Sequence, residues 1–230
     1  MLCLADEGGR PAPARLDSAR DWAAVSACGR HFLAVKRDGS LWAWGDNRSG
    51  QLGLGDERER LAPTRVDGAS DWASTSAGGN HSVAVKSDGS LWAWGWGSNG
   101  RLGLGDYRDR FTPTRVGEAS TWATASAHGE HCLALQRDGS LWAWGDNKYG
   151  VFGVGDEVRS RLGPTRVGEA NDWAMASAGG DCSLALKRDG TLWAWGMNAY
   201  FRLGLGHPRR LSVPTQVKRG SVGRPGFHVG

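Results

Sequence analysis

Long apolar runs are missing from this sequence. Nowhere do about 18 apolar residues follow one another, so no membrane-crossing helix is expected. The opening residues, MLCLADEGGRPAPARL, have no basic segment followed by an apolar one. No secretory signal is read there, and a cytoplasmic location is expected, with secretion left open if Met1 is not the native start. Cysteine is scarce: Cys3, Cys28, Cys132 and Cys182 occupy non-equivalent positions and form no CxxC pair. Reduced thiols are the expectation, not a disulfide framework. Charge of one sign is also lacking. The formal net charge is +4, and Lys218, Arg219 and Arg224 near the C-terminus supply three of those charges. The rest is nearly neutral, which argues against nucleic acid and against an anionic membrane as partners. No GxSxG elbow, Walker loop or HExxH occurs, and the glycines of GQLGLG match no dinucleotide fingerprint because no helical pattern follows them. A non-enzymatic chain is expected, without catalytic residues, metal or cofactor.

Glycine and tryptophan are plentiful instead, at 36 and 13 residues. The phrase DGSLWAWGDN at 38–47 returns as DGSLWAWGWG from Asp88, DGSLWAWGDN from Asp138 and DGTLWAWGMN from Asp189. Trp22, Trp72, Trp122 and Trp173 are spaced 50, 50 and 51 residues apart. Trp42, Trp92, Trp142 and Trp193 keep the same spacing, as do Trp44, Trp94, Trp144 and Trp195; only Trp96 stands outside the pattern. The one-residue insertion falls between Asp156 and Pro164, a loop by composition. The register reaches back to LCLADE at 2–7 and forward to LGLGHPRRLSVPTQV at 203–217. A single repeat domain over 1–217 is therefore read, with hairpins at 22–45, 72–95, 122–145 and 173–196. The basic remainder, 218–230, carries no repeat residue and is expected to be a disordered tail.

Each unit reads as short strands. WAAVSAC is a β-compatible run ended by Gly29, and HFLAVKR follows with Leu33 and Val35 on one face. Asp38-Gly39 signals a two-residue hairpin, because glycine accepts the positive φ such turns need. SLWAWG returns with Trp42 and Trp44 on one face, and a Gly-rich loop leads to PTRV. Four short strands in about 50 residues suggest a β-propeller blade. The fold class is all-β, a propeller of four-stranded blades with four blades visible. One such unit cannot bury enough surface to offset the entropy of ordering it. The tryptophan pairs are accordingly read as packing between neighbouring blades.

SAGGNHSVAVKSDGSLWAWG and WGDNRSGQLGLGD resemble the repeat of the regulator of chromosome condensation family, over residues 2–217. The resemblance implies a propeller, usually a closed ring of seven blades. This chain departs from the pattern in its four hairpins, in Gly97 where Asn47 stands, and in Phe201 where Gly50 stands. It has five PTRV-like strands (13–16, 63–66, 113–116, 164–167, 214–217) beside those hairpins. The surplus strand favours an open arc, a truncated product, or part-rings that pair as a homodimer. A small closed ring stays open as an alternative.

His31, His81 and His131 share one repeat position, taken by Cys182 in the fourth. The set could suit zinc, but the family carries a histidine here as part of its fold, and a structural histidine bonded to nearby backbone is expected. Arg58, Arg60, Arg108, Arg110, Arg159, Arg161, Arg209 and Arg210 follow the GLGD loops and would share one face of the disc. Glu57, Glu59, Asp109 and Glu157 interleave them, so the readings are a charge-mixed rim or a protein-binding face. The leading function is a scaffold that presents its loops to a protein partner of unknown identity. The resemblance adds two alternatives: nucleotide exchange on a small GTPase, and a secreted enzyme inhibitor.

Overall fold

The structure, a computed structural model, describes residues 18–155, 158–207 and 209–218. The expected strand at 13–16, Cys3, Glu157 and the tail beyond Lys218 lie outside the described residues. Four antiparallel four-stranded sheets follow one another along the chain. Blade 1 holds β1 (Trp22–Cys28), β2 (His31–Lys36), β3 (Leu41–Gly45) and β4 (Arg60–Arg65). Blade 2 holds β5 (Trp72–Ala77), β6 (His81–Lys86), β7 (Leu91–Gly95) and β8 (Arg110–Arg115). Blade 3 holds β9 (Trp122–His128), β10 (His131–Gln136), β11 (Leu141–Asp146) and β12 (Ser160–Arg166). Blade 4 holds β13 (Trp173–Ala178), β14 (Cys182–Lys187), β15 (Leu192–Gly196) and β16 (Leu211–Gln216). The chain is an all-β propeller-type fold, as the repeat implied.

The Asp-Gly turn is longer than two residues: Arg37 to Ser40 join β2 to β3. Asp38 sets its shape. Its Oδ1 accepts from the Ser40 amide at 2.9 Å and from the Ser40 hydroxyl at 2.6 Å. Ser40 Oγ in turn accepts from Trp42 Nε1 at 2.9 Å. The same relay recurs from Asp88 to Trp92, Asp138 to Trp142 and Asp189 to Trp193. These hydrogen bonds hold each aspartate carboxyl below its ordinary value, the Ser40 hydroxyl contributing most at Asp38. Gly39 sits at φ 78, and a Cβ there would lie 2.3 Å from the Ser70 carbonyl oxygen. The turn thus needs glycine both for its dihedral and for the closeness of the segment entering the next blade.

Alternation within each strand gives every blade two faces. Leu33, Val35, Leu41 and Ala43 point forward onto Trp72, Ala84 and Trp94 of blade 2. Val83, Leu91 and Leu102 meet Trp122, Ala134 and Trp144 of blade 3. Leu133, Leu141 and Phe152 meet Trp173, Ala185 and Trp195 of blade 4. The core is therefore three apolar layers between sheets, and the first strands β1, β5, β9 and β13 lie side by side. Leu184 and Leu192 of blade 4 are 37% and 38% exposed, where their equivalents Leu133 and Leu141 are fully buried. At the other end Trp22 and Trp44 are half-buried, while Trp94, Trp144 and Trp195 are fully buried. Among the described residues these two outer faces are less covered than the inner ones, and blades 1 to 4 follow one another in an arc.

Candidate protein-interaction site

Two rows of tryptophan do different work. Trp42, Trp92, Trp142 and Trp193 are half-buried and brace the turn of their own blade through the relay above. Trp94 Nε1 donates to the Gln51 carbonyl of the preceding blade at 2.9 Å. Trp144 donates to Arg101 O at 2.9 Å and Trp195 to Val151 O at 2.6 Å. At each inner junction the third row member, Trp72, Trp122 or Trp173, packs edge-on against its own blade's pair, with ring centroids 5.9 to 6.5 Å apart.

The histidines join blades. His31 Nε2 lies 2.9 Å from Ser82 Oγ, His81 Nε2 3.1 Å from Cys132 Sγ, and His131 Nε2 3.1 Å from Ser183 Oγ. Their partners are side chains of the next blade, not the nearby backbone that the sequence suggested. Ser82 already donates to the Gln51 carbonyl at 2.7 Å, so His31 Nε2 carries the proton and donates to Ser82 Oγ. Burial lowers His31 to about 4 and His131 to about 3, and moves His81 the same way. Each ring is thus a neutral peg at a buried seam. Among the described residues no cluster of His, Cys, Asp and Glu suits a metal ion.

Strand order fixes which loops share a face. The β1–β2 turn and the long β3–β4 loop of every blade emerge on one side, and the Asp-Gly turns on the other. Arg58, Arg108, Arg159 and Arg209 stand at one repeat position on the first side, all exposed. Arg60 and Arg110 are tied back by Asp56 at 2.7 Å and Asp106 at 2.8 Å, and Arg161 is half-buried. Arg210 falls at the position of Glu59, because β16 begins with Leu211 where β4 begins with Arg60. Seven of the eight arginines therefore divide into an outward row of four and three held closer to the blades, and Arg210 belongs to neither.

Beside Arg159 a cavity of about 390 Å³ opens where blades 3 and 4 meet, lined by Glu130, Asp146, Lys148, Tyr149 and Asp181. Burial, and then the carboxylate of Glu130, raises the Asp146 carboxyl above its ordinary value. Arg101 lies next to this cavity, beneath the ring of Trp96 at 4.3 Å and 3.5 Å from Glu130. Trp96 is the tryptophan outside the repeat, and Arg101 replaces Gln51 by register. Trp96, which has no counterpart in the other repeats, was the available signal for this cation–π pair. Nearer the axis, a hydrogen bond with His128 of blade 3 lowers the thiol of Cys28 in blade 1. Cys28, Cys132 and Cys182 are free thiols.

A second cavity, of about 550 Å³, lies on blade 1 between Phe32, Trp44, Arg48, Arg60 and Leu61. Phe32 stacks on Trp44 there at 5.3 Å.

The Regulator of chromosome condensation (RCC1) repeat matches residues 38–85, 88–135, 138–186 and 189–225, and a second description of that repeat matches 22–51 and 72–101. Among solved structures, Prp20p of Saccharomyces cerevisiae is similar at 22% identity and a TM-score of 0.80, over 90% of this chain and 52% of that one. That protein is described with its binding to Gsp1p and histones. The same yeast protein bound to Kap60 gives 22% identity and a TM-score of 0.79 over 90% of this chain and 51% of that one. Human WBSCR16 gives 24% and 0.76 over 85% of this chain and 51% of that one. The chain spans about half the length of each. No curated protein sequence matches it.

Proposed function

The chain belongs to the regulator of chromosome condensation repeat family, and from that premise we propose that it is a non-enzymatic scaffold whose loop face binds a protein partner. The observation that carries this reading is the outward row of Arg58, Arg108, Arg159 and Arg209, of which Arg159 lines the cavity at Glu130 and Asp146. Three inner seams hold these loops in register, so the face is pre-organised and little ordering entropy is lost on binding. Arginines on a rigid face are well suited to act as binding anchors. Among the described residues no helix is long and apolar enough to cross a membrane. The test is capture of partners by the full chain and by a variant with Arg58, Arg108, Arg159 and Arg209 all changed to Glu. Loss of specific recovery in the variant supports the reading, and unaltered recovery removes this face from it.

Likeness to Prp20p favours one second reading, nucleotide exchange on a small GTPase. A nucleotide-release assay decides it, since an exchange factor must accelerate release. Likeness of fold alone does not carry an activity across.

A further inference from the structure

We propose that Cys28 is a nucleophilic cysteine that exchanges with small disulfides, its sulfur held among hydrogen-bond donors by His128 and two glycine turns. The inference goes beyond the loop-face reading and stands without it. It rests on the way the β1–β2 turns of blades 1, 2 and 3 nest together.

These turns pass very close to one another. A Cβ on Gly29 would lie 2.9 Å from the Gly79 carbonyl oxygen, and one on Gly79 equally near that of Gly129. The repeat position just before the turn glycine holds Cys28 in blade 1, then Gly78, His128 and Gly179. Gly78 has no side chain, and a Cβ there would lie 2.2 Å from the His81 ring. The thiol of blade 1 therefore meets the imidazole of blade 3 across the bare turn of blade 2, and the two are hydrogen-bonded. The backbone amides of Gly129 and Gly29 also donate to the Cys28 sulfur. Amides can only donate, and His128 completes the set when it holds the proton. Three donors around one sulfur suit a thiolate, the form that attacks.

The other described cysteines lie in the opposite surroundings. Cys132 is fully buried, and its sulfur donates to the Arg101 carbonyl at 3.6 Å, an arrangement that suits a thiol. Burial raises its acid constant above the ordinary cysteine value, and raises that of Cys182 too. At Cys28 the bond with His128 outweighs burial and lowers it. The same bond raises His128, helped by the carboxylate of Asp181 in blade 4, while His81 of blade 2 is buried and neutral. Among the described residues Cys28 is half-buried and His128 exposed. Gly129 forms part of the wall of the 390 Å³ cavity, so the pair stands at the edge of a space on the loop side.

The exchange needs one co-reactant, a low-molecular-mass disulfide. Cys28 passes its proton to His128, and the sulfur attacks one sulfur of the disulfide. A new S–S bond forms to Cys28 as the old one breaks, and the other half leaves as a thiolate that takes up the proton. Cys28 is oxidised and the leaving half is reduced. One thiol and one disulfide give one mixed disulfide and one thiol.

Labelling of the full chain with glutathione disulfide and with iodoacetamide, mapped to each cysteine by peptide mass across a range of pH, tests this. Cys28 is expected to label at least about tenfold faster than Cys182 at neutral pH, since one unit of acidity is about a factor of ten in thiolate. Cys132 should stay unlabelled while the chain is folded. His128→Asn changes an exposed side chain and should fold. It is expected to move the midpoint of the Cys28 rate profile to higher pH and to leave the Cys182 profile in place, a shift that a merely structural histidine would not produce. Cys28 labelling no faster than Cys182 overturns the proposal, as does a Cys28 profile that His128→Asn leaves unmoved. Alkylation of Cys28 without any mixed disulfide overturns it equally.

Discussion

Trp94 gives its indole N–H to the Gln51 carbonyl, 2.9 Å away in the preceding blade. That one bond explains why the motif carries two tryptophans at each repeat. Its neighbour Trp92 donates to Ser90 within its own turn, at 2.8 Å. One indole shapes the blade, and the other fastens it to the blade before.

Truncating an inner fastener should cost far more than truncating the outer one. Trp144→Ala opens a buried seam and is expected to cost about 3–5 kcal/mol, whereas Trp144→Phe, which keeps one ring but loses the N–H donor and the rest of the indole, is expected to cost less. For a chain of this size each kcal/mol moves the melting temperature by about 2–4 °C. Trp44→Ala, at a half-buried ring, is expected to shift it less than Trp144→Ala in thermal unfolding. Equal shifts would contradict the division of labour.

Acid should weaken the fold through its histidines. An unfolded histidine titrates near pH 6.5, while burial holds folded His31 at about 4 and His131 at about 3. The folded state therefore prefers the neutral ring. Its contribution is whole above about pH 6.5 and drains away as pH falls through the folded values. Urea midpoints measured from pH 7 to pH 4 should fall steadily, and a His131→Asn variant should show a shallower fall. A flat profile for the parent chain would contradict the buried, neutral assignment.

The turn glycines offer an internal control. Gly139 and Gly190 have nearly the same φ, 87 and 82, so alanine strains both backbones alike. A Cβ on Gly139 would lie 2.1 Å from the Asn171 carbonyl oxygen of the segment entering blade 4, whereas one on Gly190 meets nothing within 4 Å. Gly139→Ala should therefore lower the melting temperature more than Gly190→Ala. The reverse order would mean that the turns do not brace the next blade.

The repeat made most of the fold legible. A 50-residue spacing of three tryptophan positions, with period-two alternation in WAWG, was enough to place the strands, but not to show that one indole of each pair braces its own turn while the other crosses the seam. The histidine contacts were not legible, because Ser82, Cys132 and Ser183 look like ordinary strand residues until the next blade brings them to the ring. The arginine row was half legible. Sequence showed eight arginines after the GLGD loops, but not that Asp56 and Asp106 tie two of them back, nor that Arg210 has slipped into the position of Glu59. The cavity at Asp146 could not be foreseen, since its walls come from blades whose contact only the packed arc defines.

The central claim is that indoles fasten each blade to the one before. Exchange of the indole N–H protons with solvent, followed by NMR on tryptophan-labelled chain, tests it most directly. Trp94, Trp144 and Trp195, whose donors are bonded across a seam, should exchange slowly, and Trp44 should exchange fast. If those three protons exchange as fast as that of Trp44, the seams are not what holds the arc together.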